Sequence, residues 1–169
     1  SLLLSVALSS SVAVAVQLAN RLRADPWICV PHTATDDLVT QMATTVRDTV
    51  DPGLQVYVEY SNEVWNSIFD QHHWANREGC LAFSSDPNGE CLRPGDSELC
   101  EPGDWDTWAQ ACFDYGATFF ARRTAEIMVI WETVFGADAG RLVRVLGGQT
   151  GSLDYRGDAQ LRHLWDDSE

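Results

Sequence analysis

Hydrophobic positions change period several times along this chain, and each change marks an element. Residues 1–16 are apolar or small, and Gln17-Leu18-Ala19-Asn20-Arg21-Leu22 continues them at helical spacing, so a helix is expected over 6–23. Pro26-Trp27-Ile28-Cys29-Val30 is a short continuous apolar run, the pattern of a buried strand, and residues 31–35 form a loop. Leu38, Met42, Val46 and Val50 then recur at helical spacing behind the acidic pair Asp36-Asp37, which suits a helix N-terminus; Asp51-Pro52-Gly53 breaks that helix. The β-branched and aromatic run over 54–61 predicts a second strand. A short helix is expected over 67–78 and a long one over 105–135, carried by Trp108, Cys112, Tyr115, Phe119, Ile127, Ile130 and Val134 and stopped by Gly136. Residues 141–146 read as a third strand, and 155–169 as a polar tail, helical or frayed.

This alternation of helices and strands predicts an α/β fold with parallel strands joined by helices. An open doubly wound sheet and a (β/α)8 TIM barrel both fit, but no Gly-rich nucleotide fingerprint follows any strand, which weakens a dinucleotide site. The strands end instead in polar residues: Pro31-His32, Asn62-Glu63 and Gln149-Thr150. Barrel enzymes keep their sites at that end. Three strands are too few to close a barrel, so the expectation is a partial one: about three βα units of a ~250-residue domain. Helices should then lie on one face of the sheet only.

Composition narrows the partners. The net charge is −14 and all eleven basic residues are Arg, so nucleic acid is not expected as a partner. The apolar start resembles the middle of a signal peptide but lacks a basic leader, and is too short and Ser-rich to span a bilayer; a signal remnant and a half-buried helix stay open, and no membrane partner is expected. Cys80, Cys91, Cys100 and Cys112 surround a Gly/Pro/Asp-rich loop placed at 79–104, without the spacing of a zinc knuckle. At least one disulfide among them is expected, and with it an extracellular or periplasmic location. Cys29, alone in an apolar strand, reads as a buried filler.

Candidate chemistry gathers at the end of the second strand, in Val56-Tyr57-Val58-Glu59-Tyr60-Ser61-Asn62-Glu63-Val64-Trp65-Asn66. A carboxylate preceded by an amide at a strand end suits acid chemistry on a sugar: Glu63 can protonate a leaving oxygen while Asn62 holds a neighbouring hydroxyl. Trp65 can stack on a sugar face, Asn66 can bind hydroxyls, and His32 ends the neighbouring strand. The plainer account of Glu63 is a carboxylate serving the N-terminus of the next helix. Strand alternation would put Glu59, Ser61 and Glu63 on one face, with Glu59 in the core beside an Arg. His72 and His73 read as surface residues rather than a metal site, and Asp86, Asn88 and Glu90 lack the rest of a calcium loop. No metal or cofactor is expected.

On the Asn62-Glu63 and Pro31-His32 motifs, the chain resembles the clan A glycoside hydrolases, retaining (β/α)8 enzymes whose fourth strand ends in Asn-Glu. The string from Pro26 to Asn66 is also similar to cellulase-like bacterial barrel proteins. The resemblance implies that residues 1–169 form part of one such domain. It further implies that Glu63 is the general acid/base, that Asn62 binds the sugar 2-hydroxyl, that His32 contacts substrate, and that a β-linked polysaccharide or oligosaccharide is cleaved with retention. Two departures stand out. Val64 replaces the Pro common after Asn-Glu, and no carboxylate after Leu146 follows a recognisable strand, so the nucleophile is expected outside these residues. The alternatives are a non-catalytic carbohydrate-binding barrel and an unrelated α/β domain in which Glu63 caps a helix.

Overall fold

The computed structural model describes residues 2–83 and 108–148, with side chains over 11–83 and 115–148. It is a mixed α/β structure with four α-helices and one three-stranded parallel sheet. In chain order the elements are α1 (Leu2–Leu22), β1 (Trp27–Val30), α2 (Asp36–Thr49), β2 (Val56–Tyr60), α3 (Asp70–Phe83), α4 (Trp108–Phe135) and, after a 3-10 turn over Gly136–Arg141, β3 (Leu142–Val145). The three strands, α2 and the end of α4 stand where the sequence pattern places them. The chain divides into two compact units: residues up to Tyr60 with Glu126–Val145, and Ser61–Ala125 with the residues after Val145.

The first unit holds the sheet, ordered β1-β2-β3, with Trp27 opposite Tyr57 and Val30 opposite Tyr60 on one side of β2 and Val56 opposite Leu142 on the other. Strand alternation splits the side chains. Ile28, Val30, Val56, Val58, Tyr60 and Leu142 are buried on one face. The helices of this unit supply the matching apolar surface: Val12, Val16 and Ala19 from α1; Val39, Met42, Ala43 and Val46 from α2; Ile127, Met128, Trp131 and Phe135 from the end of α4. Arg144, on the same sheet face, pairs with Glu132 of α4. The opposite face carries Trp27, Cys29, Tyr57, Glu59, Val143 and Val145, none of them fully buried except Glu59. The described helices of this unit thus lie against one face of the sheet.

Polar clamps hold the N-terminal ends of the strands. Asn20 donates to the Thr49 carbonyl (2.7 Å) and accepts from the Asp51 amide (2.8 Å), tying the end of α1 to the end of α2. Arg141 donates to the carbonyls of Leu54 (3.0 Å) and Asp51 (2.6 Å), joining the loop before β3 to the loop before β2. The hydroxyl of Thr35 caps α2 by accepting from the Leu38 amide, next to the acidic first turn Asp36-Asp37. Gly136, at φ +55°, ends α4 in the left-handed conformation that glycine adopts at little cost.

Several expectations are corrected. The buried stripe of α4 runs through Phe120, Thr124, Ile127, Met128, Trp131 and Phe135, whereas Phe119, Ile130 and Val134 are only half-buried. That helix is apolar on most sides, so spacing alone did not single out the inward face. The third helix begins at Asp70 and continues through Phe83, so 79–83, expected to open the Cys-rich loop, are helical. The rest of that loop, Cys91, Cys100, the side chain of Cys112 and the Asp86-Asn88-Glu90 cluster lie outside the described residues, as does the polar tail. No helix among the described residues is long and apolar enough to cross a membrane.

Candidate functional site

The chain leaves β2 through two residues in the left-handed conformation, Ser61 (φ +61°) and Glu63 (φ +48°), with Asn62 between them. Neither is glycine, and for a non-glycine residue this conformation costs about 1–3 kcal/mol. Such a cost persists only where surrounding contacts hold the backbone. It also ends the strand alternation: Ser61 is buried, Asn62 exposed and Glu63 half-buried, so Glu63 does not continue the face of Glu59. The expected single face for Glu59, Ser61 and Glu63 fails because pleating stops at Tyr60.

Within the second unit, the carboxylate of Glu63 accepts from the side-chain amide of Asn66 (Oε2 to Nδ2, 2.9 Å), and its main-chain carbonyl accepts from the Asn66 amide N–H (2.9 Å). The Asn66 side-chain oxygen accepts in turn from the Ile68 amide (3.2 Å). Asn66 therefore spends both ends of its amide on the loop, and one of them orients the Glu63 carboxylate. Helix α3 starts seven residues beyond Glu63, and the carboxylate is turned to Asn66 rather than to the first turn of that helix. The geometry thus does not favour the helix-cap account.

The first turn of α3 reaches back to this loop with three consecutive side chains. Gln71 donates through Nε2 to the carbonyl of Asn62 (2.7 Å). Nδ1 of His72 lies 2.9 Å from the carbonyl of Val64, and Nε2 of His73 lies 2.9 Å from that of Ser67. His72 is 4% exposed, not the surface residue expected from a polar helix. Its other nitrogen, Nε2, lies 2.9 Å from Nδ2 of Asn76. A carbonyl can only accept, so Nδ1 carries a proton towards Val64, and with the Asn76 amide oriented to donate, Nε2 accepts. Gln71 and His72 had no signal of their own in the sequence; a polar triplet opening a helix just after the Asn-Glu loop is the trace they left.

The remaining expected site residues are placed as follows. Trp65 is half-buried in the same loop. His32 belongs to the first unit, two residues past the end of β1, and its carbonyl accepts from the hydroxyl of Tyr60 (2.8 Å). Tyr60 is buried, so this bond pins the loop after β1 to the end of β2.

On the less covered face of the sheet, Glu59 is 8% exposed. Its partners among the described residues do not include an Arg. The indole N–H of Trp27 donates to Oε2 (3.0 Å), and the thiol of Cys29 lies 3.8 Å from the same oxygen. The rings of Trp27 and Tyr57 stack beside them, 5.4 Å apart and 12° from parallel. Cys29 is exposed rather than a buried filler, because its odd-numbered register turns it to the face away from the helices. Its sulfur still sits against the sheet, and this desolvation raises the thiol pKa; the charge and hydrogen bond of Glu59 raise it further. Among the described residues no cluster of three or more His, Cys, Asp or Glu side chains is arranged to hold a metal ion.

No protein-family model matches the chain, and no curated protein or solved structure does either.

Proposed function

We propose that this chain is part of a (β/α)8 barrel that hydrolyses a β-linked polysaccharide with retention, with Glu63 as general acid/base. The observation that carries the reading is the setting of Glu63. It stands immediately past the C-terminal end of a parallel strand, in a left-handed backbone, with an amide donor on its carboxylate. Strained backbone at a site of this kind is a pointer to function. The consecutive parallel order β1-β2-β3 fits a segment of a barrel, as it also fits one half of a doubly wound sheet.

In this reading Glu63 protonates the departing oxygen and later activates water, and Asn66 aims its carboxylate. Asn62, exposed beside it, binds the sugar 2-hydroxyl. Trp65 contributes a stacking face. The reaction needs a second carboxylate about 5–5.5 Å away as nucleophile. No step needs a cofactor. The substrate class and the disulfides expected in the Cys-rich loop together suit an extracellular or periplasmic protein.

Glu63→Gln in the intact protein tests the assignment. The amide keeps the shape but cannot donate a proton to a poor leaving group, so cleavage of the polysaccharide should fall by about 100-fold or more. An aryl glycoside whose leaving group needs no proton should still react in the first step and then stall as a glycosyl-enzyme, visible as a mass increase on the protein. Full activity of the variant on the polysaccharide would overturn the acid/base role. Saccharide binding without cleavage in the unaltered protein would point to a binding barrel instead.

A further inference from the structure

Glu63 holds an unfavourable backbone conformation, and the two carbonyls on either side of it are both claimed by one helix turn. The carbonyl of Asn62, the residue before, takes the Gln71 amide at 2.7 Å; the carbonyl of Val64, the residue after, takes the His72 ring at 2.9 Å. The His72 ring is itself locked: it is buried, and Asn76, one helical turn on, fixes which nitrogen carries the proton. Asn76 is also buried, beside Gly116 of α4, where a side chain in place of the glycine hydrogen would lie 1.9 Å from the Asn76 carbonyl oxygen. The contacts form a chain from the α3–α4 packing, through Asn76 and His72, to the Val64–Trp65 peptide, the next one beyond Glu63.

We propose that Gln71 and His72 are positioning residues for Glu63, a two-sided clamp that fixes the left-handed peptide and so sets the direction from which the carboxyl delivers its proton. This rests on the reading of Glu63 as the general acid/base. Neither residue needs to touch substrate. The clamp acts by removing rotations of the Asn62–Glu63 and Val64–Trp65 peptides, which bracket Glu63, while the Asn66 amide holds the Glu63–Val64 peptide between them. Asn66 aims the end of the side chain; Gln71 and His72 fix its base. Reactive geometry is steep in position, so a released loop loses rate before it loses binding.

Three variants of the intact protein test the clamp: His72→Phe, which keeps a ring of similar size without donors; Gln71→Met, which removes the donor from a half-exposed site; and His72→Asn, whose amide N–H can occupy the position of Nδ1. Two readouts are taken on each. Hydrogen exchange at the Asn66 amide, which bonds the Glu63 carbonyl, should speed up by about tenfold in the Phe and Met variants, the factor one lost hydrogen bond carries, and return in the Asn variant. Turnover of the polysaccharide should fall by up to about 100-fold in His72→Phe with KM little changed, and recover in part in His72→Asn. A merely structural His72 would lower the folded fraction, without splitting kcat from KM and without rescue by Asn. Unchanged exchange in both His72→Phe and Gln71→Met overturns the clamp even if Glu63→Gln is inactive. Faster exchange with unchanged turnover overturns its catalytic role. An unaltered protein without hydrolytic activity removes the Glu63 reading and the positioning role with it, while the exchange data still report whether the loop is anchored there.

Discussion

Cys29 and Glu59 face each other across two paired strands, and the carboxylate alters the acid–base behaviour of the thiol. A carboxylate beside a thiol disfavours the thiolate, and partial desolvation acts in the same direction, so Cys29 holds its proton above the ordinary thiol range. Alkylation of Cys29, followed by mass spectrometry as a function of pH, should therefore reach half its maximal rate at a higher pH than a free thiol; Glu59→Gln should bring that midpoint down. An unmoved midpoint would mean that Glu59 does not govern the sulfur. The stability linkage has a definite sign. With the folded pKa raised, the unfolded chain releases the proton first, so the contribution is fully present below the unfolded pKa and is lost as pH rises towards the folded one. Cys29→Ser should remove this alkaline loss. Because the partners of Glu59 are a neutral indole and a thiol, Glu59→Gln leaves no stranded cation, and its cost in denaturant unfolding should stay within about 1.5 kcal/mol. An Arg partner, as the sequence led one to expect, would have made that cost larger.

At the scale of elements, the second unit depends on the approach of α3 to α4. A Cβ at Gly79 would meet the Tyr115 carbonyl oxygen at 2.1 Å, a backbone atom that cannot swing aside. Glycine inside a helix ordinarily costs about 1 kcal/mol against alanine, so helix propensity alone makes Gly79→Ala stabilising. Here the clash should win: the helices must separate, and overpacking of this kind costs about 1–3 kcal/mol. Gly53→Ala, where nothing lies within 4 Å of the new atom, serves as the control and should change stability by less than about 0.5 kcal/mol. Equal denaturation midpoints for the two variants would show that α3 and α4 do not meet this closely in solution.

For the molecule as a whole, the outer side of α1 is the feature with the largest consequence. Val12, Val16 and Ala19 are buried, but Val14, Leu18 and Leu22, one turn apart on another side, are 64%, 56% and 65% exposed. Among the described residues β1 and β3 are the edge strands of the sheet, and Trp27 stands on its less covered face. Exposed apolar stripes and open parallel edges favour association over solution as a monomer, even at a net charge of −14. Sedimentation velocity on this chain by itself should show self-association. Replacing Val14, Leu18 and Leu22 together by Gln should weaken it by at least about tenfold, since each buried aliphatic side chain contributes about 1.5–3 kcal/mol. A monomer with a sharp cooperative melt would contradict this, and with it the idea that these surfaces are normally covered.

The amino-acid order alone determined the elements. Strand and helix periods, the Asp36-Asp37 start, the Asp51-Pro52-Gly53 break and the Gly136 stop are local signals, and each element stands within a few residues of where they put it. The parallel order followed from the alternation of types, because consecutive crossovers leave few other arrangements. What a side chain meets across the fold was decided only in three dimensions. The face on which Cys29 and Glu59 lie, the indole found where an Arg was expected, and the inward stripe of α4 all depend on partners distant in sequence. The candidate site divides in the same way. Asn62, Glu63, Trp65 and Asn66 were legible because a strand ending in an amide and a carboxylate is a local pattern. The left-handed turn of Glu63, and the Gln71-His72 pair that brackets it, became visible only when the loop closed back on α3, since the carbonyls of Asn62 and Val64 take their hydrogen bonds from residues eight and nine positions beyond Glu63.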